Sequence, residues 1–280
     1  MGNRRASTRD SLIGGTIVGP PIAWSRVTAP ILPGAEPYSA AGDARGALVL
    51  HGFTGNPQSM RGLALALSGA GLTVELPLLP GHGTAVADMV PTRWEDWSAA
   101  AEAAYLALAG RCESVVVVGL SMGGTLGVWL AERHGEIGGL VLVNPLIEPP
   151  DADTVAFIGS LIDGGDELAP GIGSDIALEG AVEAAYAELP LRAGQSLFAA
   201  AAEVAAGLGS VTCPILLFSS TQDHVVPPVS GDRLVEGVKG PVERIVLERS
   251  FHVATLDYDK EAIEARTVQF VNALLAPVGA

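Results

Sequence analysis

The chain carries only two cysteines, Cys112 and Cys213. Two thiols make no disulfide framework, and neither stands at metal-ligand spacing from a partner. They read as reduced thiols of an intracellular protein, so the expected location is cytoplasmic. Cations are scarce too: 16 Lys and Arg face 31 Asp and Glu, a net charge of −15. Phosphate backbones and anionic membrane surfaces are gripped through Lys and Arg, so no nucleic-acid partner is expected. No run of about 18 apolar residues occurs, which excludes a bilayer-spanning helix and stable membrane insertion. Arg4-Arg5 ahead of an apolar run at 12–24 has the outline of a twin-arginine export signal. Pro20-Pro21, three glycines and Asp10 interrupt it, and no small-residue cleavage site follows. Met1-Gly2 has the outline of a myristoylation start, but Ala6 stands where Ser or Thr is required. Residues 1–25 are therefore expected to form a loosely ordered arm.

Apolar residues are abundant, at 49% of 280 positions with 17% charged, enough for one large α/β core or two small ones. One stretch organises the rest. Val115-Val116-Val117-Val118 reads as a strand buried on both faces. Gly119-Leu120-Ser121-Met122-Gly123 follows, and Leu126, Trp129 and Leu130 then fall at helical spacing until His134-Gly135. A strand thus turns sharply into a helix with Ser121 at the corner. Side chains at 119 and 123 would collide with the turn, and the helix aims its positive end at the serine. This is the pattern of the nucleophile elbow of the α/β-hydrolase fold.

Around it, strands at 46–50, 73–76, 139–143, 214–219 and 242–247 alternate with helices, which predicts a mostly parallel sheet flanked by helices. Asn56-Pro57 starts one helix as cap and first residue, 93–109 is amphipathic, and 260–274 closes the chain. Between 146 and 208 no strand signal appears. Alanine-rich helical pieces are expected at 154–161, 178–186 and 195–206. The predicted organisation is an arm at 1–25, a core at 26–145 and 209–280, and a small helical cap at 146–208, inserted between two strands and enclosing an apolar slot over Ser121.

A serine hydroxyl is a poor nucleophile until a base takes its proton, and the base must be held in the right tautomer. In this fold the acid and the histidine follow the serine in that order. Asp223 stands in the loop after the strand at 214–219, and His252 in the loop after the last strand. His224 is the neighbour of Asp223, and adjacent loop residues seldom pair. His134 suits a helix C-terminus, His51 and His82 suit structural positions, and Asp257 suits the surface. The tetrahedral intermediate needs two backbone N–H donors, expected from Met122 and from Phe53 in His51-Gly52-Phe53.

His51-Gly52-Phe53-Thr54-Gly55, Gly81-His82-Gly83, Gly119-Leu120-Ser121-Met122-Gly123-Gly124, Asp223-His224-Val225-Val226-Pro227-Pro228 and His252-Val253-Ala254-Thr255-Leu256-Asp257 together resemble the bacterial monoacylglycerol lipase and carboxylesterase family, over roughly residues 30 to 275. Gly171-Ile172-Gly173-Ser174-Asp175-Ile176 is similar to that family's cap. The resemblance implies a Ser121–Asp223–His252 triad, an oxyanion hole from Phe53 and Met122, no cofactor, no metal, and a small-molecule acyl ester as substrate. It further implies a cap glutamate that meets the glycerol head, and Glu183 resembles it; a solvated helix face is the alternative for that residue. The expected function is a serine ester hydrolase of monoacylglycerols or short and medium acyl esters, with lipid contact through the cap at most transient. An acyltransferase or thioesterase would use the same triad, and a non-catalytic ligand-binding member would be expected to have lost a triad position.

Overall fold

In the computed structural model, which describes residues 29–171 and 173–274, seven strands share one sheet. In chain order the elements are β1 (Tyr38–Ala40), β2 (Arg45–Leu50), α1 (Arg61–Gly69), β3 (Thr73–Leu76), α2 (Val86–Met89), α3 (Trp94–Ala109), β4 (Ser114–Leu120), α4 (Met122–Arg133), β5 (Gly139–Val143), α5 (Ala152–Asp163), β6 (Leu168–Pro170), β7 (Glu188–Pro190), α6 (Leu191–Gly207), β8 (Ile215–Ser220), α7 (Val229–Gly237), β9 (Val242–Leu247) and α8 (Lys260–Leu274). The large sheet runs β1-β3-β2-β4-β5-β8-β9, parallel except for the edge strand β1. This is the mostly parallel, helix-flanked sheet of an α/β-hydrolase fold.

The four valines show why the sheet is buried on both sides. Val115 and Val117 enter the apolar layer shared with α3, α4 and α6, while Val116 and Val118 enter the layer shared with α1 and α8. Each layer takes alternate residues of a strand whose side chains project to opposite faces. Asn56 accepts from the Gln58 N–H at 3.0 Å and Pro57 follows, so the turn Pro57–Met60 that leads into α1 starts where the sequence places it.

Three expectations change. β1 carries no periodic signal, because a three-residue edge strand is too short to show one. The segment between β5 and β8 holds a two-stranded antiparallel ribbon, β6 with β7, where no strand was expected; each strand is three residues long and ends in proline. Residues 178–186 are not helical. Gly180 takes a left-handed φ of +81°, and the backbone groups that a helix would pair internally go elsewhere. Ala184 N–H reaches Gln58 Oε1, Tyr186 N–H reaches Thr54 O, and the Ala184 carbonyl accepts from Asn56 Nδ2. Tertiary contacts override local alanine propensity here. The last helix of the insertion, α6, buries Leu197, Ala201 and Val204 in the main layer with α4, so it is as much a core helix as part of a cap. The arm expected at 1–25 lies outside the described residues.

Candidate active site

The corner after β4 is built as its glycines require. Ser121 holds φ 54° and ψ −118°, a region that L-residues rarely occupy. A Cβ on Gly119 would lie 2.2 Å from the Gly123 carbonyl oxygen, and one on Gly123 would lie 2.2 Å from the Leu50 oxygen. Leu120 and Met122 on either side are buried, while Ser121 is partly exposed. The Ser121 N–H bonds to Val143 O at 3.0 Å and fixes the corner to the end of β5. The loop after β2 passes beside it: a Cβ on Gly52 would lie 3.4 Å from Ser121 Cβ.

Asp223 and His252 stand on the loops after β8 and β9, and the pair is closed. His252 Nδ1 lies 2.8 Å from Asp223 Oδ2, with both side chains almost fully buried. The other Asp223 oxygen accepts from Val225 N (2.9 Å) and Val226 N (2.8 Å), which fixes the carboxylate plane. A carboxylate accepts only, so Nδ1 carries the proton and Nε2 keeps its lone pair. The two loops reach the corner through Asn144, which follows β5 directly. Its Nδ2 donates to the His252 carbonyl at 2.8 Å and to Ser220 Oγ at 2.9 Å. Among the described residues Ser121 Oγ makes no hydrogen bond to the imidazole; in free enzymes of this kind that contact is commonly long and tightens around the substrate.

The remaining histidines take the other roles. His224 pairs with Asp175, not with its neighbour Asp223, at 2.8 Å, and stands edge-on to Phe251. His134 meets Glu102 at 2.8 Å at the end of α4. His51 is fully buried, its Nε2 accepting from Leu79 N, and burial pulls its pKa down to about 4. His82 is buried as well, against His51, Phe53 and Trp97, and burial holds its pKa well below the ordinary value. Asp257 is not a surface residue. It is fully buried and accepts from four backbone N–H groups: Ala177, Leu178, Phe251 and Tyr258.

Glu183 stands in the irregular stretch 178–186, so the helix face offered as its alternative does not exist. Its carboxylate points inward: a Cβ on Gly55 would lie 2.6 Å from Glu183 Oε1. Burial raises its pKa, opposed in part by the attraction of His252 and by the Ser59 hydroxyl. A groove of about 790 Å³ opens between α5 and α6, lined by Val155, Ile158, Phe198 and Ala202 with Arg93 and Arg192 among its walls. None of Ser121, Asp223 and His252 lines it. No group of His, Cys, Asp and Glu among the described residues could hold a metal ion.

Residues 47–265 match the model of the alpha/beta hydrolase family, most of the chain. The chain belongs to that family. It is 43% identical over 245 residues to a thermostable monoacylglycerol lipase of Bacillus sp. (strain H-257), covering 86% of this chain and 96% of that protein. It is 26% identical to a carboxylesterase of Bacillus subtilis (strain 168), covering 85% and 97%. A solved structure from work on the metagenome-derived lipolytic enzymes LipS and LipT matches at a TM-score of 0.83 and 42% identity, over 87% of this chain and all of the other. The Paleococcus ferrophilus monoacylglycerol lipase, at 20% identity and a TM-score of 0.72, shares the fold.

Two residues of this site escaped the sequence reading. Asn144, buried at a left-handed φ of 44°, ties the serine corner to the histidine loop. Asp175 ties the cap segment to the loops of both Asp223 and His252. The only signal for Asn144 was an asparagine, tolerant of φ > 0, directly after a buried strand and before a proline.

Proposed function

We propose that this ester hydrolase cleaves esters of a single acyl chain, monoacylglycerols among them, through a covalent acyl-enzyme on Ser121. The closed Asp223–His252 pair beside the strained serine corner carries this reading. His252 Nε2 takes the Ser121 hydroxyl proton as Oγ bonds to the ester carbonyl carbon. Asp223 keeps the proton on Nδ1 and stabilises the imidazolium. The carbonyl oxygen, now negative, is met by the Phe53 and Met122 N–H groups, neither of which is engaged by another group among the described residues. Collapse of the intermediate breaks the bond to the alcohol, which leaves with the proton from His252. Water then delivers a proton to Nε2, its oxygen attacks the acyl carbon, and the acid departs as Ser121 is restored.

Glu183 is the residue assigned to the alcohol side. Its carboxylate sits within reach of the His252 charge, where a glycerol leaving group would stand, and an acceptor there suits the free hydroxyls of a monoacylglycerol. A carboxylate desolvated in this way favours a ligand that donates to it. Exposed Val155 and Phe157 on α5 give transient contact with an uncharged lipid surface a footing. No helix among the described residues is long and apolar enough to cross a membrane. Two unpaired cysteines, each raised in pKa by burial, agree with a reducing cytoplasm. Hydrolysis rates over p-nitrophenyl esters, monoacylglycerols and triolein test the assignment. Monoacylglycerols should be cleaved and triolein poorly, because a buried glutamate on the alcohol side disfavours two further acyl chains. Triolein cleaved as fast as monoolein would overturn it.

A further inference from the structure

The cap segment at 173–178 is wired into the loops of the candidate acid and base. Asp175 Oδ2 accepts from the His252 N–H at 3.0 Å and from the His224 N–H at 3.1 Å. Its Oδ1 lies 2.8 Å from the His224 ring nitrogen Nδ1, and its own carbonyl accepts from Val253 N at 3.1 Å. The Asp175 side chain is 11% exposed and His252 is buried, so the bond to the His252 N–H is sheltered from water, where an unpaired partner is costly, while the bonds to His224 are open to solvent. Asp257 returns the contact from the other direction, taking Ala177 N at 2.7 Å and Leu178 N at 2.9 Å while also holding Phe251 N.

His252 is therefore held at three points from three parts of the chain. Its side chain is held by Asp223 after β8, its carbonyl by Asn144 after β5, and its N–H by Asp175 from the cap. The first two belong to the sheet. The third does not, and one carboxylate makes it while also holding the residue next to Asp223. We propose that Asp175 is a positioning residue: seating of the cap segment on the sheet sets the Asp223–His252 pair, so that the cap is part of the catalytic apparatus as well as a cover for substrate. The inference rests on the triad reading given above. A sub-ångström shift of a general base is enough to lower turnover, since the proton acceptor must lie on the line of the attacking hydroxyl.

The test uses the full chain with Asp175→Ala and Asp175→Asn, a soluble p-nitrophenyl ester, and proton NMR of the low-field imidazole Nδ1–H. Asp175→Ala should lose about ten- to a hundredfold in kcat with KM changed less than about threefold. The low-field resonance should broaden or shift. Asp175→Asn keeps one acceptor oxygen and should recover most of the turnover. An alanine variant that stays folded with wild-type kcat, or that loses only KM, would overturn the inference. Should the alanine variant fail to fold, Asp175→Ser, whose shorter hydroxyl cannot reach both N–H groups, takes its place: wild-type kcat with an unshifted resonance would overturn the inference, while lowered kcat with a shifted resonance would sustain it. A wild-type protein that a fluorophosphonate fails to label at Ser121 would fail the triad reading itself, and the inference with it. Normal labelling with an unaffected alanine variant fails the inference alone.

Discussion

Replacing Glu183 by Ala separates a substrate contact from a structural one. The carboxylate lies against Gly55 with its pKa raised by burial, and no arginine or lysine among the described residues is shown to pair with it. A hydrogen bond from a glycerol hydroxyl to such a group is charge-assisted, worth about 1.5–3 kcal/mol. Its loss lowers kcat/KM for a monoacylglycerol by roughly ten- to a hundredfold, at 1.4 kcal/mol per factor of ten. A p-nitrophenyl ester of the same acyl chain has no hydroxyl to offer and should lose little. Stability should move the other way. A carboxylate with a raised folded-state pKa destabilises the native protein above that pKa, and the penalty fades as pH falls through it. Glu183→Gln should therefore raise Tm at pH 8 and do so less at pH 5. Paired kinetics on monoacylglycerol and p-nitrophenyl ester, with calorimetry at the two pH values, read both effects. Equal losses on both substrates with a lowered Tm would refute the assignment and make Glu183 a structural residue.

Two further outcomes follow from buried titratable groups. His51, held neutral by burial with its pKa near 4, must take up a proton on unfolding below about pH 6.5. Stability is full above that pH and falls as the pH drops from there towards 4, by roughly 2 kcal/mol at pH 5 from this group alone. Urea titrations at pH 7 and pH 5 should show the loss, and His51→Gln should reduce the difference between them. Glu132 buries Oε1 without a partner against Gly207, and burial raises its pKa to about 7. Glu132→Gln should stabilise by about 1–3 kcal/mol at pH 8. The gain should shrink as pH falls below about 7 and vanish only below about pH 4.5, where the carboxyl is neutral in the unfolded chain as well.

The elbow was legible because three local rules coincide there. Four β-branched residues, two glycines that a turn demands and a helical period leave few other structures. Asp223 and His252 were legible by position, since each follows a strand of the same sheet in a fixed order. The short strands were not: β1, β6 and β7 are set by what lies beside them, and three residues hold no period. The stretch at 178–186 misled because alanine favours a helix only when nothing else claims the backbone. Here Asn56, Gln58 and Thr54 claim it. Asp257 misled for the same kind of reason, since it is buried where two N–H groups of its own neighbourhood, Phe251 and Tyr258, meet two from the distant Ala177-Leu178. Asp175 was visible only as part of a family-like stretch. Its work depends on the approach of two loops roughly fifty and eighty positions away, which no local pattern encodes.

The central claim is that Ser121 is the nucleophile. Treating the protein with a fluorophosphonate, digesting it and locating the adduct by mass spectrometry tests that claim at the atom concerned. The account predicts one adduct, on the peptide containing Ser121, with activity lost in proportion to labelling and no labelling of a folded Ser121→Ala variant. An adduct on another residue, or a Ser121→Ala variant that keeps more than about a hundredth of the activity, would contradict it, because loss of a triad serine costs on the order of 10⁴–10⁶ in rate.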